Sequence, residues 1–267
     1  MARQRSQQTD RDRQESGDRR RRPGRLYVVG TPIGSPGDVT IRALATFRRV
    51  SIIASESPRA TQTLLARHGI TATITSYGPD NLEERIAVLL HYLGRGRDLA
   101  LVSDNGMPVI YDPGQRLIAA AHERGYPVSV IPGPSALTAA VALSGYAGDR
   151  IVFEGRLPAT GRRLDKFFAP YKRESGTMVF PVSSRALVSV LRSLARICAT
   201  GRLTLAVDMT KRREQLYRGT PAALLGRIRS IPPDADITLV MQGNPQRRRW
   251  KRSTRPRRRA TRRSGGG

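Results

Sequence analysis

Five short apolar runs, at residues 26–29, 50–54, 74–77, 99–102 and 128–131, constrain this chain more than any other feature of it. Each run stops at a cluster of glycine, proline or small polar residues, and a helix-period pattern or a turn leading into one follows. Largely apolar stretches of four or five residues suit a strand buried on both faces, and such strands separated by helices form a parallel sheet with helices on both sides. The helical patterns are legible from Ile41, Leu44, Ala45 and Phe47 after a cap at Asp38 or Thr40, from Leu64 and Leu65 to His68, from Ile86, Val88, Leu89, Leu90 and Leu93, expected to face inward, and from Leu117 to Ala121 before Gly125. The expectation is an α/β fold.

In open sheets of this kind, ligands bind in the crevice beyond the carboxyl ends of the strands. The loops that follow the runs are therefore the first place to seek function. After the first run the chain reads GTPIGSPGD, after the fourth SDNGMPVIYDPG, and after the fifth PGPSA. Loops so rich in glycine and proline bring main chain close to a ligand with few side chains in the way. The first lacks both G-x-G-x-x-G opening into a helix and G-K-[ST], so it is neither a dinucleotide fingerprint nor a phosphate cradle. Glu56 and Arg59 follow the second run and form either a plain ion pair or part of a site.

The pattern changes near residues 145–150. Beyond that point, strands are expected at 151–153, 177–182, 203–207 and 237–241, with helices around 185–198 and 222–228, making a smaller α+β unit. The organisation read from the chain is an N-terminal α/β domain over 25–145 and a C-terminal domain over 146–243, with a crevice between them suited to a ligand.

Charge marks the two ends. The chain holds 47 Lys+Arg against 21 Asp+Glu, a net charge of +26. Residues 1–24 carry eight arginines and four acids, and residues 244–267 carry 11 Lys+Arg and no acid. Segments so polar and so uniformly charged cannot offset the entropy of ordering, so disordered basic tails are expected, suited to a polyanion partner through counterion release. Trp250 is their one aromatic residue, which gives no basis for base stacking.

Other classes lose support. A single cysteine, Cys198, excludes an internal disulfide. His68, His91 and His122 have no partner at metal-ligand spacing, so no metal is expected. No apolar run approaches the roughly 20 residues of a membrane span, and the arginine-rich start has no apolar signal core; a cytoplasmic protein without membrane contact is expected. No G-x-S-x-G element or kinase signature is present.

The string LYVVGTPIGSPGDVTIRAL at 26–44, A-x-E with Arg59 at 54–59, LVSDNGMP with DPG at 101–114, IPGPSA at 131–136 and FEGRLP at 153–158 occur in that order. Together they resemble the tetrapyrrole (corrin/porphyrin) methylase superfamily, and within it most closely the small-subunit ribosomal RNA (cytidine-2′-O)-methyltransferases, over about residues 25–243. The resemblance implies two α/β domains, a homodimer, and S-adenosylmethionine held in the interdomain cleft largely by main chain. Transferred position by position, the cofactor contacts are Gly30, Ile33, Gly34, Asp104, Gly106, Met107, Ser135 and Ala136. The implied reaction is 2′-O-methylation of a cytidine in small-subunit ribosomal RNA. Its hydroxyl needs orientation and an outlet for its proton, and Glu56, Arg59, Glu154 and Lys211 are the candidates, against the alternative that they cap or pair structurally.

Several polar positions depart from the wording of that family. They are Glu56-Ser57-Pro58-Arg59, Gly78-Pro79-Asp80-Asn81, Asn105 and Met107 within 103–108, Pro181-Val182-Ser183-Ser184-Arg185-Ala186, and the stretch from Asp208 to Glu214. Three readings stay open: an active ribosomal RNA methyltransferase, an RNA- or ribosome-binding relative with little or no transfer, and a methyltransferase of a porphyrin or corrin precursor.

Overall fold

The computed structural model describes residues 22–110, 114–146, 149–159 and 161–244. The expectation of disordered basic tails falls almost wholly on residues 1–21 and 245–267, which lie outside the described residues.

The first five runs form one sheet. Strands β1 (Leu26–Val29), β2 (Ile52–Ser55), β3 (Ile74–Ser76), β4 (Leu99–Val102) and β5 (Val128–Ile131) lie in the order β3-β2-β4-β1-β5. Every pairing is parallel, with Leu26 level with Leu99 on one side and Val128 on the other. Helices α1 (Ile41–Arg49) and α2 (Pro58–Arg67) bury Ala43, Phe47 and Leu65 against Val29, Ile53 and Val102 on one face. Helices α3 (Leu82–Gly94) and α4 (Gln115–Glu123) bury Leu89, Leu93, Leu117 and Ala121 against Leu26, Ala54 and Leu101 on the other. Val88, expected to face inward with its neighbours on α3, is instead exposed. Local chemistry agrees at the helix starts: the Thr40 side chain accepts from the Ala43 amide at 3.1 Å, and Pro58 opens α2 where a missing N–H costs nothing.

The strand order places the site. From β1 the chain leaves to one face through α1; from β4, its neighbour, it leaves to the opposite face through α4. That divergence opens a crevice at the carboxyl ends of β1 and β4.

Helix α5 (Ala136–Ser144) follows β5 and stops at Gly145, whose φ of +63° is the left-handed cap that glycine adopts freely. It joins the first sheet to the second. There β6 (Ile151–Phe153), β7 (Thr177–Ser183), β8 (Leu203–Val207), β9 (Gln215–Gly219) and β10 (Asp236–Met241) lie in the order β6-β7-β10-β8-β9, with β6–β7 parallel and the rest antiparallel. Helices α6 (Gly161–Phe168), α7 (Ser184–Ile197) and α8 (Pro221–Leu225) cover one face through Phe168, Leu187, Leu191 and Leu224. The other face offers Val179, Ala206 and Val240 to Ala140 of α5, together with Ile33 and Met209.

The second strand begins at Ile52 rather than 50, because the Val50 amide closes α1 on the Thr46 carbonyl at 3.0 Å. Three of these helices and strands lie beyond the sequence reading, the first of them α5, whose residues are read no further than the PGPSA loop that opens it. β9 reads QLYRG and is a largely exposed edge strand with no apolar run, and α6 buries only Leu164 and Phe168.

Candidate active site

Three loops converge above β4, β1 and β5. The Thr31 amide donates to the Gly106 carbonyl at 2.9 Å, and the Thr31 hydroxyl donates to the Ser103 carbonyl at 3.1 Å while accepting from the Gly106 amide at 3.2 Å. Ser103 adds its own hydroxyl to the Gly106 carbonyl at 3.2 Å. These groups are buried, so the small bonds rigidify the loop pair. Gly106 turns with φ of +88°, and a Cβ there would stand 3.1 Å from both Ile33 Cγ2 and the Pro134 carbonyl oxygen. Gly30 and Gly133 touch main chain to main chain: a Cβ on Gly30 would lie 2.7 Å from Gly133 Cα and 2.7 Å from Met107 Sδ. No side chain caps α5 at Ser135, which leaves the first amides of the helix facing outward from its start.

The second sheet closes over these loops through the segment after β8. Gly34 abuts that segment, since a Cβ there would lie 2.6 Å from the Met209 carbonyl oxygen, and the Ser35 amide donates to Thr210 Oγ1 at 2.9 Å. Asp208 and Thr210 both hold positive φ, +50° and +62°. Side-chain-bearing residues adopt that region at a cost of roughly 1 kcal/mol or more each, and persist there only when neighbours hold them. The holding groups are the Asp208 amide on the Asp236 carbonyl at 2.8 Å, the Asp236 amide on Asp208 Oδ1 at 3.1 Å, and the Lys211 amide on the Asp208 carbonyl at 3.0 Å. Lys211 Nζ then pairs with Asp208 Oδ1 at 3.1 Å and Asp236 Oδ2 at 2.5 Å. Burial alone would push the Lys211 ammonium down, but its bonds to Asp236 and Asp208 and their charges hold it above its ordinary range.

Between the sheets lies a cleft of about 760 Å³, a size suited to a small-molecule ligand. Ile33, Met107, Ser135 and Ala136 line it from the first sheet, whereas Gly30 and Gly106 do not line it and instead pack against lining residues, Gly30 against Met107 and Gly106 against Ile33. Asp104 and Gly34 instead line a smaller recess of about 170 Å³ with Thr31, Pro32 and Arg67, on the α2 side of the first loop. Glu56 and Arg59 stand at the end of β2 and the first turn of α2; Ser55 pairs with Val102, so Glu56 is level with Ser103 at the same sheet edge, without lining the cleft.

Glu154 and Lys211 take other positions. Along β6, Phe153 lines the cleft whereas Val152 packs on the helix-covered face. Glu154 follows that alternation away from the cleft and accepts a hydrogen bond from the Tyr171 hydroxyl. Burial first, then the Glu154 bond and charge, push the Tyr171 phenol well up. The structure thus does not bring Glu154 to the cleft, and Lys211 flanks it as a paired ammonium.

The far wall consists of residues absent from the sequence-based candidates: Pro181 to Arg185 at the end of β7, Met209, and Pro233 to Thr238 leading into β10. The first of these was visible as a departure from family wording. Nothing in the local pattern of 233–238 distinguishes it from an ordinary turn before a strand.

Comparison with known proteins agrees with this architecture. The family model for Tetrapyrrole (Corrin/Porphyrin) Methylases matches residues 25–225. A Thermotoga maritima protein named ribosomal RNA small subunit methyltransferase I is 39% identical over 220 residues, covering 82% of this chain and 99% of that protein. A Synechocystis protein of the same name is 39% identical over 221 residues, covering 82% of this chain and 79% of its own length. Among solved structures, a cobalt precorrin-4 methyltransferase superposes with a TM-score of 0.62 at 18% identity, covering 82% of this chain and 94% of that one. The Thermus thermophilus uroporphyrin-III C-methyltransferase complexed with S-adenosylhomocysteine gives 0.57 at 17% identity, covering 82% and 97%. At such identities the structures share the fold, while the two sequence relatives match about four-fifths of the chain. The chain belongs to the tetrapyrrole (corrin/porphyrin) methylase family.

Proposed function

We propose that this protein transfers a methyl group from S-adenosylmethionine to the 2′-hydroxyl of a cytidine in small-subunit ribosomal RNA. The observation that carries the reading is the match, across about four-fifths of the chain, to relatives named for methylation of that RNA. The cleft fits the donor. Gly30 and Gly133 pack main chain to main chain and so let the first and third loops close up beside it, apolar walls at Ile33, Met107 and Leu137 suit an adenine and an aliphatic chain, and the uncapped start of α5 offers amides to polar groups. S-adenosylmethionine, when bound, supplies an electrophilic methyl group on a positively charged sulfur.

The rest is the work of the protein. Two walls fixed by the joint of Gly34 and Ser35 with 208–211 hold reactants in line and keep water out, which supplies much of the rate of a displacement whose charge disperses. We assign Glu56 and Arg59 to positioning the RNA at the sheet edge. Lys211 holds its proton and acts as a strut of the cleft wall, and Glu154 supports the packing of Tyr171. A cytoplasmic homodimer belongs to the same reading: Val130 on β5 and Ile151 on β6 are 54% and 46% exposed on edge strands, open to a second copy. Light scattering that returned the mass of a single chain would remove the dimer from it.

Ribose methylation mapped across ribosomal RNA from cells with and without the gene tests the function. Loss of one small-subunit cytidine mark is expected, and an unchanged map would refute the reading. Calorimetry with S-adenosylmethionine separates an enzyme from a non-catalytic binder: micromolar affinity, about −8 kcal/mol, is expected.

A further inference from the structure

A second concavity of about 540 Å³ opens beside the cleft, between α7 and the segment running from α8 to Pro233. The two share Ser184, Arg185 and Pro233, so one leads into the other across a common rim. On α7, Arg185, Val188 and Arg192 stand three and seven positions apart and therefore lie along one helix face. Arg229 approaches from the opposite bank, and Leu225 and Ile231 complete an apolar floor with Val188. No acidic side chain lines the groove, and among the described residues none of the three arginines has an ion pair or side-chain hydrogen bond. Arg196, further along the same helix, is by contrast tied to Asp165 at 2.8 Å and lies outside the groove.

Three unpaired guanidinium groups around an apolar floor are chemically matched to a single strand of nucleic acid. Arginines hold its phosphates in fixed geometry, and the floor and guanidinium planes receive the faces of unpaired bases. We propose that the strand of RNA flanking the target nucleotide runs from the cleft over Arg185 into this groove, with Arg192 and Arg229 on its phosphates. The proposal rests on the RNA-methyltransferase reading and adds the path of its substrate. It places the flanking strand on the second sheet unit, on the side of the cleft away from Glu56 and Arg59.

The test uses the full chain with two probes, an in vitro transcript of small-subunit ribosomal RNA and small ribosomal subunits lacking the methyl mark. Binding is measured across salt concentrations for wild type, for R192Q/R229Q and R192E/R229E, and for R42E/R124E, which removes comparable charge from α1 and the end of α4. S-adenosylmethionine affinity and thermal melting establish that each variant is folded; the glutamine pair keeps the test open if charge reversal disturbs folding. For R192Q/R229Q, affinity about tenfold weaker and a salt slope less steep by about 1.4 are expected, as for two lost contacts to a single strand. R42E/R124E should change affinity far less than R192E/R229E. Groove variants that bind and methylate like R42E/R124E would overturn the groove while leaving the methyltransferase intact. Wild type that binds neither probe and methylates neither would overturn both.

Discussion

At the scale of single residues, the cleft depends on places where side chains are missing. Gly133 is the sharpest case: a Cβ there would stand 2.8 Å from Gly30 Cα and 2.9 Å from its carbonyl carbon and oxygen, all main-chain atoms that cannot swing aside. Gly133→Ala should destabilise the protein by about 1–3 kcal/mol through overpacking, read by thermal denaturation. It should also weaken S-adenosylmethionine affinity as β1 and β5 are pushed apart, read by calorimetry. Glu154 supplies the opposite lesson. With its carboxylate turned to Tyr171, Glu154→Gln should lower stability by about 1 kcal/mol. Methyl transfer should stay within roughly threefold of wild type, and a loss of a hundredfold or more would place the carboxylate in the chemistry. Sequence alone could nominate Glu154, because an acid after a strand is a reasonable candidate. It could not reveal on which side of β6 the residue emerges, since that parity is set by pairing of β6 with β7.

At the scale of elements, the loop after β8 is the hinge pin between the two walls. Its left-handed residues Asp208 and Thr210 are held by Asp236, Glu214 and Lys211, and the first loop docks on it through Gly34 and Ser35. Lys211→Met should cost about 1 kcal/mol at neutral pH and loosen the cleft, seen as weaker donor binding. The ammonium is held above its ordinary value of 10.5, so its contribution is complete below that value and is lost as pH rises through the raised one. Denaturation at several pH values should therefore show a constant gap between wild type and Lys211→Met from neutral pH to about 9.5 that narrows above 10.5. A gap that instead widened with alkalinity would contradict the pairing. The residues of this loop were visible as a departure from the family's wording, but its role was not, because the partners at 34–35 and 236 lie far away in sequence.

At the scale of the whole molecule, the proposed function asks two sheets and a charge distribution to serve one large polyanion. The core residues position the cleft, while residues 245–267, which lie outside the described residues, bring most of the charge of the C-terminal end. Deleting 245–267 should weaken RNA binding and flatten its salt dependence while thermal stability and S-adenosylmethionine affinity remain those of the full chain. Equal salt slopes for both forms would show that the tail does not touch RNA. The proposed groove and the tail are tested separately, the one by R192Q/R229Q and the other by this deletion.

The amino-acid sequence by itself determined the first sheet, its first four helices and its three glycine–proline loops, because buried parallel strands are written as short, largely apolar runs and turns as glycine and proline. It also determined the family, through motifs that stay contiguous along the chain. Only the tertiary structure decided which of the nominated residues meet. Strand order β3-β2-β4-β1-β5, with the connections after β1 and β4 running to opposite faces, opens the crevice, and the fold of the second sheet over α5 brings 181–185 and 233–238 to close it. The same folding turns Glu154 away and pairs Lys211 with two aspartates. Order, face and pairing are relations between segments distant in sequence, fixed by burial across the whole core, and no local pattern encodes them.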